Sequence, residues 1–365
     1  MKPKARFLKA ARRQEPDRVP IFATLTPQVA QKLGEIMGLP SQPVDAFLSD
    51  RLSYTEILLA LGNDAVAIGP GRDRSKPTKR LPNGHLIDEW GIQFREVGYY
   101  TEAVVRPLSE VESIADLNAY EFPEPLAPGR FEVAEKMVKK YGNDYAIIGI
   151  LEVTMFELAW ILVGLEKFLV DLLWQKPYVE ALIDRILDFH ITVGRKLIEL
   201  GAEVILLGDD FGTQRGMLIS PALYRQVFKP RQKKIIDALK AVNKEIIIAY
   251  HSCGSIMPII EDLIEVGVEV LNPIQPQAAG MDLAFLKEKY GNQLAFFGGV
   301  DVQGVLPQGT PEEVKEEVKL RIKQAGKGGG FILAPTHNIQ PDTPVENILA
   351  MYEAAKDYGT YPLKI

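Results

Sequence analysis

Eight short apolar segments alternate with helical segments along the chain, and this alternation constrains the fold more than any other feature of the sequence. Runs rich in β-branched and aromatic residues are typical of strands buried on both faces of a parallel sheet. The eight segments are Arg18–Leu25, Asp64–Ile68, Tyr145–Leu151, Glu203–Leu207, Glu245–Tyr250, Val268–Leu271, Leu294–Gly298 and Phe331–Ala334. Eight strands alternating with helices predict an α/β protein of the (β/α)8 barrel, or TIM barrel, class.

A doubly wound sheet is the structural alternative to a barrel. It normally carries a glycine-rich phosphate turn after its first strand, and the sequence ATLTPQ in that position has no glycine. Residues 77–107 contain a Pro-Asn-Gly turn between alternating segments, which predicts an antiparallel hairpin insertion. We therefore expect one domain over residues 1–365, with the hairpin inserted at about 77–107.

Composition excludes several classes of protein. The chain is 47% hydrophobic and 25% charged with a net charge of −6, which is typical of globular proteins and argues against nucleic-acid binding. Apolar runs stay well short of the ~18–20 residues that a transmembrane helix needs, and the first twenty residues lack the apolar core of a secretory signal. A single cysteine fits a reducing compartment, so we expect a cytoplasmic protein that binds neither membranes nor nucleic acids.

The segment Glu245–Gly254, with the sequence EIIIAYHSCG, carries the most distinctive chemistry. Side chains two positions apart on a strand point the same way, so His251 and Cys253 can face one site beyond the strand. Ligand sites of parallel α/β folds lie at the carboxyl ends of strands. The alternative is a buried thiol beside a hydrogen-bonded histidine, since buried free cysteine is common.

Other predicted strands are also followed by polar residues. They are Glu152 after the third strand, Asp209 and Asp210 after the fourth, Asn272 and Gln275 after the sixth, Asp301 after the seventh and His337 after the eighth. Some have plain structural alternatives, because aspartate and asparagine favour turns and an acidic residue stabilises a helix start. Asp209 and Asp210 are adjacent, so at most one of them is expected to face the site.

We assign provisional roles to these residues. His251, Cys253 and His337 are candidate zinc ligands, because one thiolate and two imidazoles suit zinc and leave its fourth position open. Asp210 and Glu152 are candidate catalytic residues. The candidate substrate-binding residues are Asn272, Gln275 and Asp301.

Five stretches of the sequence resemble the uroporphyrinogen decarboxylase superfamily. They are RFLKAARRQEPDRVP, DDFGTQRGMLISPALYRQVFKPR, YHSCGSI, FFGGVDVQGVLPQGTPEEV and GGFILAPTHNIQPDTPVENILAMYEAA. The resemblance covers nearly the whole chain and implies a (β/α)8 barrel with its pocket at the carboxyl ends of the strands. It implies one of two chemistries, namely cofactor-free decarboxylation of uroporphyrinogen or zinc-dependent methyl transfer involving a corrinoid protein.

The residues distinguish these two chemistries. Decarboxylases of the superfamily hold substrate carboxylates with an arginine-rich segment, whereas the corresponding residues 21–35 here contain no arginine. Methyltransferases carry His-x-Cys and a distant cysteine. His251 and Cys253 match the first part, and His337 stands at the position of the distant cysteine.

The resemblance therefore favours a methyltransferase that moves a methyl group between a small methylated substrate and a corrinoid, or from a methyl-corrinoid to a thiol. Zinc is the expected cofactor, and a corrinoid on a partner protein is the expected co-substrate. The alternatives are a decarboxylase of uroporphyrinogen or another carboxylated compound, and a non-catalytic tetrapyrrole- or corrinoid-binding protein. The oligomeric state is left open, with a homodimer as one option.

Overall fold

The structure, a computed structural model, describes residues 1–44, 50–98 and 100–365. Its strands are β1 (Ala65–Ile68), β2 (Lys79–Arg80), β3 (Leu86–Ile87), β4 (Gln93–Val97), β5 (Tyr100–Val105), β6 (Ala146–Glu152), β7 (Val204–Gly208), β8 (Ile247–His251), β9 (Val270–Ile274), β10 (Ala295–Val300) and β11 (Phe331–Pro335). Short 3-10 helices cover Asp50–Leu52 and Met257–Ile259.

Helices occupy most of the chain between the strands. They are α1 (Pro3–Ala11), α2 (Pro27–Met37), α3 (Thr55–Leu61), α4 (Ile114–Ala119), α5 (Glu132–Tyr141), α6 (Phe156–Val163), α7 (Leu165–Leu173), α8 (Pro177–Leu200), α9 (Pro221–Val227), α10 (Lys229–Lys240), α11 (Ile260–Val266), α12 (Leu283–Tyr290), α13 (Val305–Gln308), α14 (Pro311–Ala325) and α15 (Val345–Tyr358). In the described part of the chain, no helix is long and apolar enough to span a membrane.

Seven strands form one parallel sheet in the order β1-β6-β7-β8-β9-β10-β11. Consecutive strands of this sheet are neighbours, joined by helical connections, which makes the protein a mixed α/β fold. β8 pairs with β7 on one side and with β9 on the other. The prediction of an internal strand at Glu245–Tyr250 is therefore confirmed.

The predicted first strand, Arg18–Leu25, is present only as isolated bridges. The N–H of Leu333 donates to the carbonyl of Pro20 at 2.9 Å, and the N–H of Ile339 donates to the carbonyl of Thr24 at 2.9 Å. A continuous ladder does not form, because Pro20 has no N–H and the facing partner changes from β11 to the loop that follows it. On the other flank, the N–H of Asp64 donates to the carbonyl of Ile21 at 2.8 Å. The segment thus lies between the two edge strands, β11 and β1.

The predicted antiparallel insertion is larger than one hairpin. β2, β3, β4 and β5 form a four-stranded antiparallel sheet in sequence order, within the expected boundaries. Arg130 and Glu89 form an ion pair at 2.7 Å next to this sheet, and both side chains are fully buried. The guanidinium of Arg130 also donates to the carbonyl of Gly71 at 2.8 Å, which ties this region to the loop after β1.

Two predicted helices differ in the structure. The sequence pattern predicts a helix over about residues 43–61, but the helix begins only at Thr55, because Tyr54 adopts a left-handed conformation with φ of 62°. Residues 45–49 of that expected helix lie outside the described residues. The sequence pattern also predicts a helix near residues 153–174, which the structure divides into α6 and α7 at Gly164, whose φ of 108° cannot continue a helix.

Each strand of the parallel sheet divides its side chains between two hydrophobic clusters. Along β8, Ile248 and Tyr250 belong to the large cluster that contains the helices, whereas Ile247 and Ala249 belong to a smaller one, the inner core. The inner core also contains Phe7 of α1. With a period of two residues, His251 falls on the same face as Ile247 and Ala249. The strand therefore directs His251 toward the inner side of the sheet, at its carboxyl end.

Candidate functional site

Asp210, His251 and Cys253 form a compact group at the carboxyl ends of β7 and β8. One ligand atom from each residue lies within 4.8 Å of the others. The Nε2 atom of His251 is 3.5 Å from the Cys253 sulfur and 3.5 Å from Oδ1 of Asp210. The N–H of Cys253 donates to the same Asp210 oxygen at 2.7 Å. We call this group the triad.

Asn272 contacts Nδ1 of His251 and favours a proton on that nitrogen. The amide nitrogen of Asn272 donates to the carbonyl of Phe297 at 3.3 Å, so its Oδ1 faces Nδ1 of His251 at 2.7 Å. Oε1 of Glu152 lies 3.2 Å from the same Nδ1. The acceptor at 2.7 Å favours a proton on Nδ1 over the longer contact of 3.2 Å that the Arg51 N–H makes with the same atom. The lone pair of Nε2 is then directed toward Asp210 and Cys253 and is free to bind a metal, as in metal-binding histidines.

Arg51 and Glu152 form an ion pair at 2.6 Å beside His251. Both side chains are almost completely buried, with 13% and 11% of their surfaces exposed. Burial opposes ionisation of Glu152, but the charge of Arg51, the neighbouring imidazole of His251 and the hydrogen bond from Arg51 outweigh it and lower the pKa of this carboxyl. Glu152 therefore remains a carboxylate behind the imidazole.

The loops after β7 and β8 are packed backbone against backbone. The N–H of Ser255 donates to the carbonyl of Thr213 at 2.8 Å. A Cβ at Gly212 would lie 2.5 Å from the carbonyl oxygen of Cys253, and one at Gly254 would lie 2.6 Å from that of Thr213. Glycine is required at both positions for this close approach, which holds Asp210 and Cys253 near each other.

Asp209 has a structural role next to the triad. Its carboxylate accepts hydrogen bonds from the N–H groups of Met155 and Glu157 at 3.0 Å each, at the start of α6. Burial raises the pKa of Asp209 to about 7, against the opposing effect of these backbone donors. As the sequence predicts, only one of the two adjacent aspartates faces the site, and that residue is Asp210.

Carboxylates surround the thiol of Cys253. Burial raises the pKa of Cys253 well above its usual range; the charges of Asp210, Glu152 and Glu157 add to this effect, and the charge of Arg51 opposes it. Burial also raises the pKa of Glu157, together with the charges of Asp210 and Asp209. In such surroundings a thiolate requires a nearby positive charge.

A pocket of about 470 Å³ adjoins the triad. Asp210 and Cys253 line one side of it. Its other residues come from the loops after β7, β8, β9, β10 and β11, and they include Gln275, Val302 and His337. A volume of this size is typical of small-molecule sites.

The structure separates the remaining predicted site residues. His337 lines the pocket but does not belong to the triad. Burial lowers its pKa, and the nearby charge of Arg51 lowers it further. Gln275 also lines the pocket, and its Oε1 accepts from the N–H of Gly254 at 3.0 Å.

Asn272 and Asp301 do not line the pocket. The amide of Asn272 contacts His251 and Phe297 instead, as described above. Oδ1 of Asp301 accepts from the N–H of Gln303 at 2.8 Å and thereby shapes the loop that carries Gln303 to the pocket. A direct role of either residue in substrate binding stays a prediction.

Sequence reasoning missed Arg51, Thr336 and Gln303. Arg51 lies in a segment predicted to be helical, 101 positions from its partner Glu152, so no local pattern indicates the contact. Thr336 lies two positions after Ala334, which faces the inner core. Thr336 directly follows β11. If the alternation of side chains continues to this residue, Thr336 faces inward like Ala334, so the pattern could have identified it.

The donor set of the triad fits zinc. Thiolate, imidazole and carboxylate are its ordinary protein ligands, and three of them leave a fourth position open. The hydrogen bond at Nδ1 of His251 is the outer contact that metal-binding histidines usually make. Fold and site together thus define a parallel-sheet α/β protein with a candidate metal centre at the carboxyl ends of its strands.

This protein belongs to the uroporphyrinogen decarboxylase (URO-D) family, whose model matches residues 91–358. It is 26% identical to the methylcobamide:CoM methyltransferase MtbA of Methanosarcina acetivorans over 357 residues, which cover 98% of each chain. It is 27% identical to the uroporphyrinogen decarboxylase of Synechococcus sp. (strain CC9605) over 257 residues, which cover 69% of this chain and 68% of the relative.

A solved structure of a methyltransferase has the same fold. A methyltransferase from Methanosarcina mazei superposes with a TM-score of 0.72 over 98% of this chain and 99% of that chain, at 24% identity. The family and its named relatives are enzymes, and two methyltransferase relatives match over nearly the whole chain.

Proposed function

We propose that this protein is a zinc-dependent methyltransferase that moves a methyl group between a small methylated substrate and a corrinoid. The observation that carries the proposal is the triad of Asp210, His251 and Cys253 at the wall of a small-molecule pocket. The full-length similarity to two methylcobamide:CoM methyltransferases supports the same activity.

Asp210, His251 and Cys253 would hold the metal. When bound, zinc acts as a Lewis acid that activates a thiol acceptor or polarises the oxygen or nitrogen of a methyl donor. His251 offers Nε2, because Asn272 contacts Nδ1. The N–H of Cys253 orients the Asp210 carboxylate. His337 lines the same pocket and remains a candidate for a further ligand or for proton transfer at the substrate.

The proposed architecture is a single (β/α)8 barrel over residues 1–365. Residues 20–25 act as its first strand, because they bond both to β11 and to the residues just before β1. The four-stranded antiparallel sheet is then an insertion between the second and third barrel strands. In this arrangement the pocket is open at the carboxyl end of the barrel, where a corrinoid carried by a partner protein can reach it.

Decarboxylation of uroporphyrinogen is the second candidate function, and a decarboxylase relative at 27% identity favours it. The residues around the pocket argue against it. Uroporphyrinogen carries many carboxylates, for which arginine is the natural partner. Within the described residues, the pocket lining contains neither arginine nor lysine. We therefore expect uroporphyrinogen to be a poor substrate. Binding without turnover would instead indicate a tetrapyrrole or corrinoid carrier.

The test combines metal content with methyl transfer. The purified protein should contain stoichiometric zinc and transfer a methyl group between methyl-corrinoid and a small thiol. The Cys253→Ala variant should lose both properties and keep its circular dichroism spectrum, because the substitution affects only the end of the sheet. Metal-free protein that converts uroporphyrinogen to coproporphyrinogen would overturn the proposal in favour of the second function.

A further inference from the structure

The wall of the pocket is polar but almost uncharged. Besides Asp210, Cys253 and His337, it presents hydroxyl and amide side chains. These are Thr213, Gln214, Gln275, Gln303, Thr336 and Gln340. Among the described residues that line the pocket, none is lysine, arginine, phenylalanine, tyrosine or tryptophan.

Charge balance in the metal centre disfavours an anionic substrate. The thiolate of Cys253 and the carboxylate of Asp210 would together cancel the two positive charges of a zinc ion held there. Arg51, the cation nearest to the triad, is paired with Glu152 at 2.6 Å. Among the residues that the structure describes at the site, no net positive charge would then remain to attract a sulfonate or carboxylate group of the substrate, which would lose hydration without gaining a partner.

The described lining contains no aromatic side chain, which disfavours two further classes of substrate. Quaternary ammonium ions are usually held against aromatic faces, and methoxylated aromatic compounds are held by ring stacking. Hydroxyl and amide side chains instead donate and accept hydrogen bonds, so they suit hydroxyl, ether and amide groups.

Thr336 supplies an independent observation. Its side chain is 2% exposed, it belongs to the pocket wall, and its hydroxyl has no hydrogen-bond partner within the described chain. Buried hydroxyls nearly always have a partner, so an unpaired one in a pocket wall points to a polar ligand.

We propose that the substrate is a small, uncharged aliphatic compound that carries hydroxyl or amide groups beside its methyl-bearing or methyl-accepting atom. This inference rests on the proposed methyltransferase function and adds the chemical class of its substrate. The hydroxyl and amide side chains would bind the polar groups, while the reacting atom lies at the triad.

The test measures binding of thiols to the cobalt(II)-substituted protein, through the absorption band of sulfur bound to cobalt. The probes are 1-thioglycerol, 2-mercaptoethanesulfonate, thiocholine and benzyl mercaptan, which share a thiol and differ in charge and shape. We expect 1-thioglycerol to bind about tenfold more tightly than each of the other three. Equal or tighter binding of any of them overturns the inference and leaves the proposed function intact.

A substitution checks the charge argument. Gln303→Lys places a cation at the pocket and should tighten binding of 2-mercaptoethanesulfonate about fivefold. Gln293→Lys is the matched control, because Gln293 precedes β10 at the opposite end of the sheet. Unchanged binding in the Gln303→Lys variant contradicts the inference. A protein that binds no cobalt at all overturns the inference together with the proposed function.

Discussion

The N–H of Cys253 donates a hydrogen bond of 2.7 Å to Oδ1 of Asp210, so two of the three proposed metal ligands are joined by one contact. The same oxygen lies 3.5 Å from Nε2 of His251. Since Asp210 follows β7 and Cys253 follows β8, the pairing of these two strands brings the residues together. The contact holds two of the proposed ligands close together, as a preorganised site requires.

Asp210 is expected to contribute more to metal binding than His337. Asp210→Asn removes the negative charge and keeps the shape of the side chain, and it should weaken zinc binding by more than about tenfold. His337→Ala should retain full stoichiometry, because His337 lies outside the triad. The zinc content of the two variants, measured after dialysis against increasing concentrations of a chelator, tests both expectations. Loss of zinc in the His337→Ala variant would make His337 a ligand, as the sequence predicts.

Asn272 is expected to act through His251. Asn272→Ala removes the acceptor at 2.7 Å from Nδ1, so the imidazole should sample both tautomers and zinc affinity should fall by about 10–100-fold. Asn272→Asp keeps an acceptor and should preserve the Nδ1–H form. ¹⁵N NMR of the metal-free protein, labelled at its four histidines, reports the tautomer directly. An unchanged His251 spectrum in the alanine variant would contradict this role.

The close packing of the two loops is expected to make Gly212 essential. A Cβ there would lie 2.5 Å from the Cys253 carbonyl oxygen, so Gly212→Ala should displace the thiol and cost about 1–3 kcal/mol of unfolding free energy. Gly216→Ala is the matched control in the same loop, because a Cβ at Gly216 meets no atom within 4 Å. Urea denaturation and zinc affinity should distinguish the two variants. Equal behaviour would show that the loops are not closely coupled.

His190 is expected to make stability depend on pH. Complete burial in α8 lowers the pKa of His190 from 6.5 to about 4, so between these values the unfolded chain binds a proton that the folded chain does not. The contribution of neutral His190 to the free energy of unfolding is fully present above pH 6.5. It falls as the pH is lowered, and about 3 kcal/mol of it is lost at pH 4. His190→Gln should remove this part of the pH dependence. Urea denaturation of both proteins between pH 4 and pH 7.5 measures the difference.

Much of the sheet is predictable from local pattern. The segments Tyr145–Leu151 and Glu203–Leu207 correspond to β6 and β7 with a shift of one residue. The shift matters for the site, because Glu152 is the last residue of β6 and not the first residue of a loop. The first strand is the exception, since Pro20 and the change of facing partner leave only isolated bridges there.

The candidate site is predictable only in part. The positions after the strands identify Asp210, His251, Cys253 and His337 as residues of one region, and the structure places all four there. Their grouping is not predictable. Spacing along the chain does not reveal that the ligand atoms of Asp210, His251 and Cys253 lie within 4.8 Å of one another, because that distance depends on how the loops pack.

The sequence by itself determined the alternation of strands and helices, the common direction of His251 and Cys253 and the polar character of the carboxyl ends of the strands. These properties follow from backbone periodicity and burial, which are local. Only the tertiary structure decided that Asp210 joins His251 and Cys253, that Asn272 orients the imidazole, and that Arg51 pairs with Glu152. Those contacts join residues as many as 101 positions apart, and they depend on the packing of separate loops against one another.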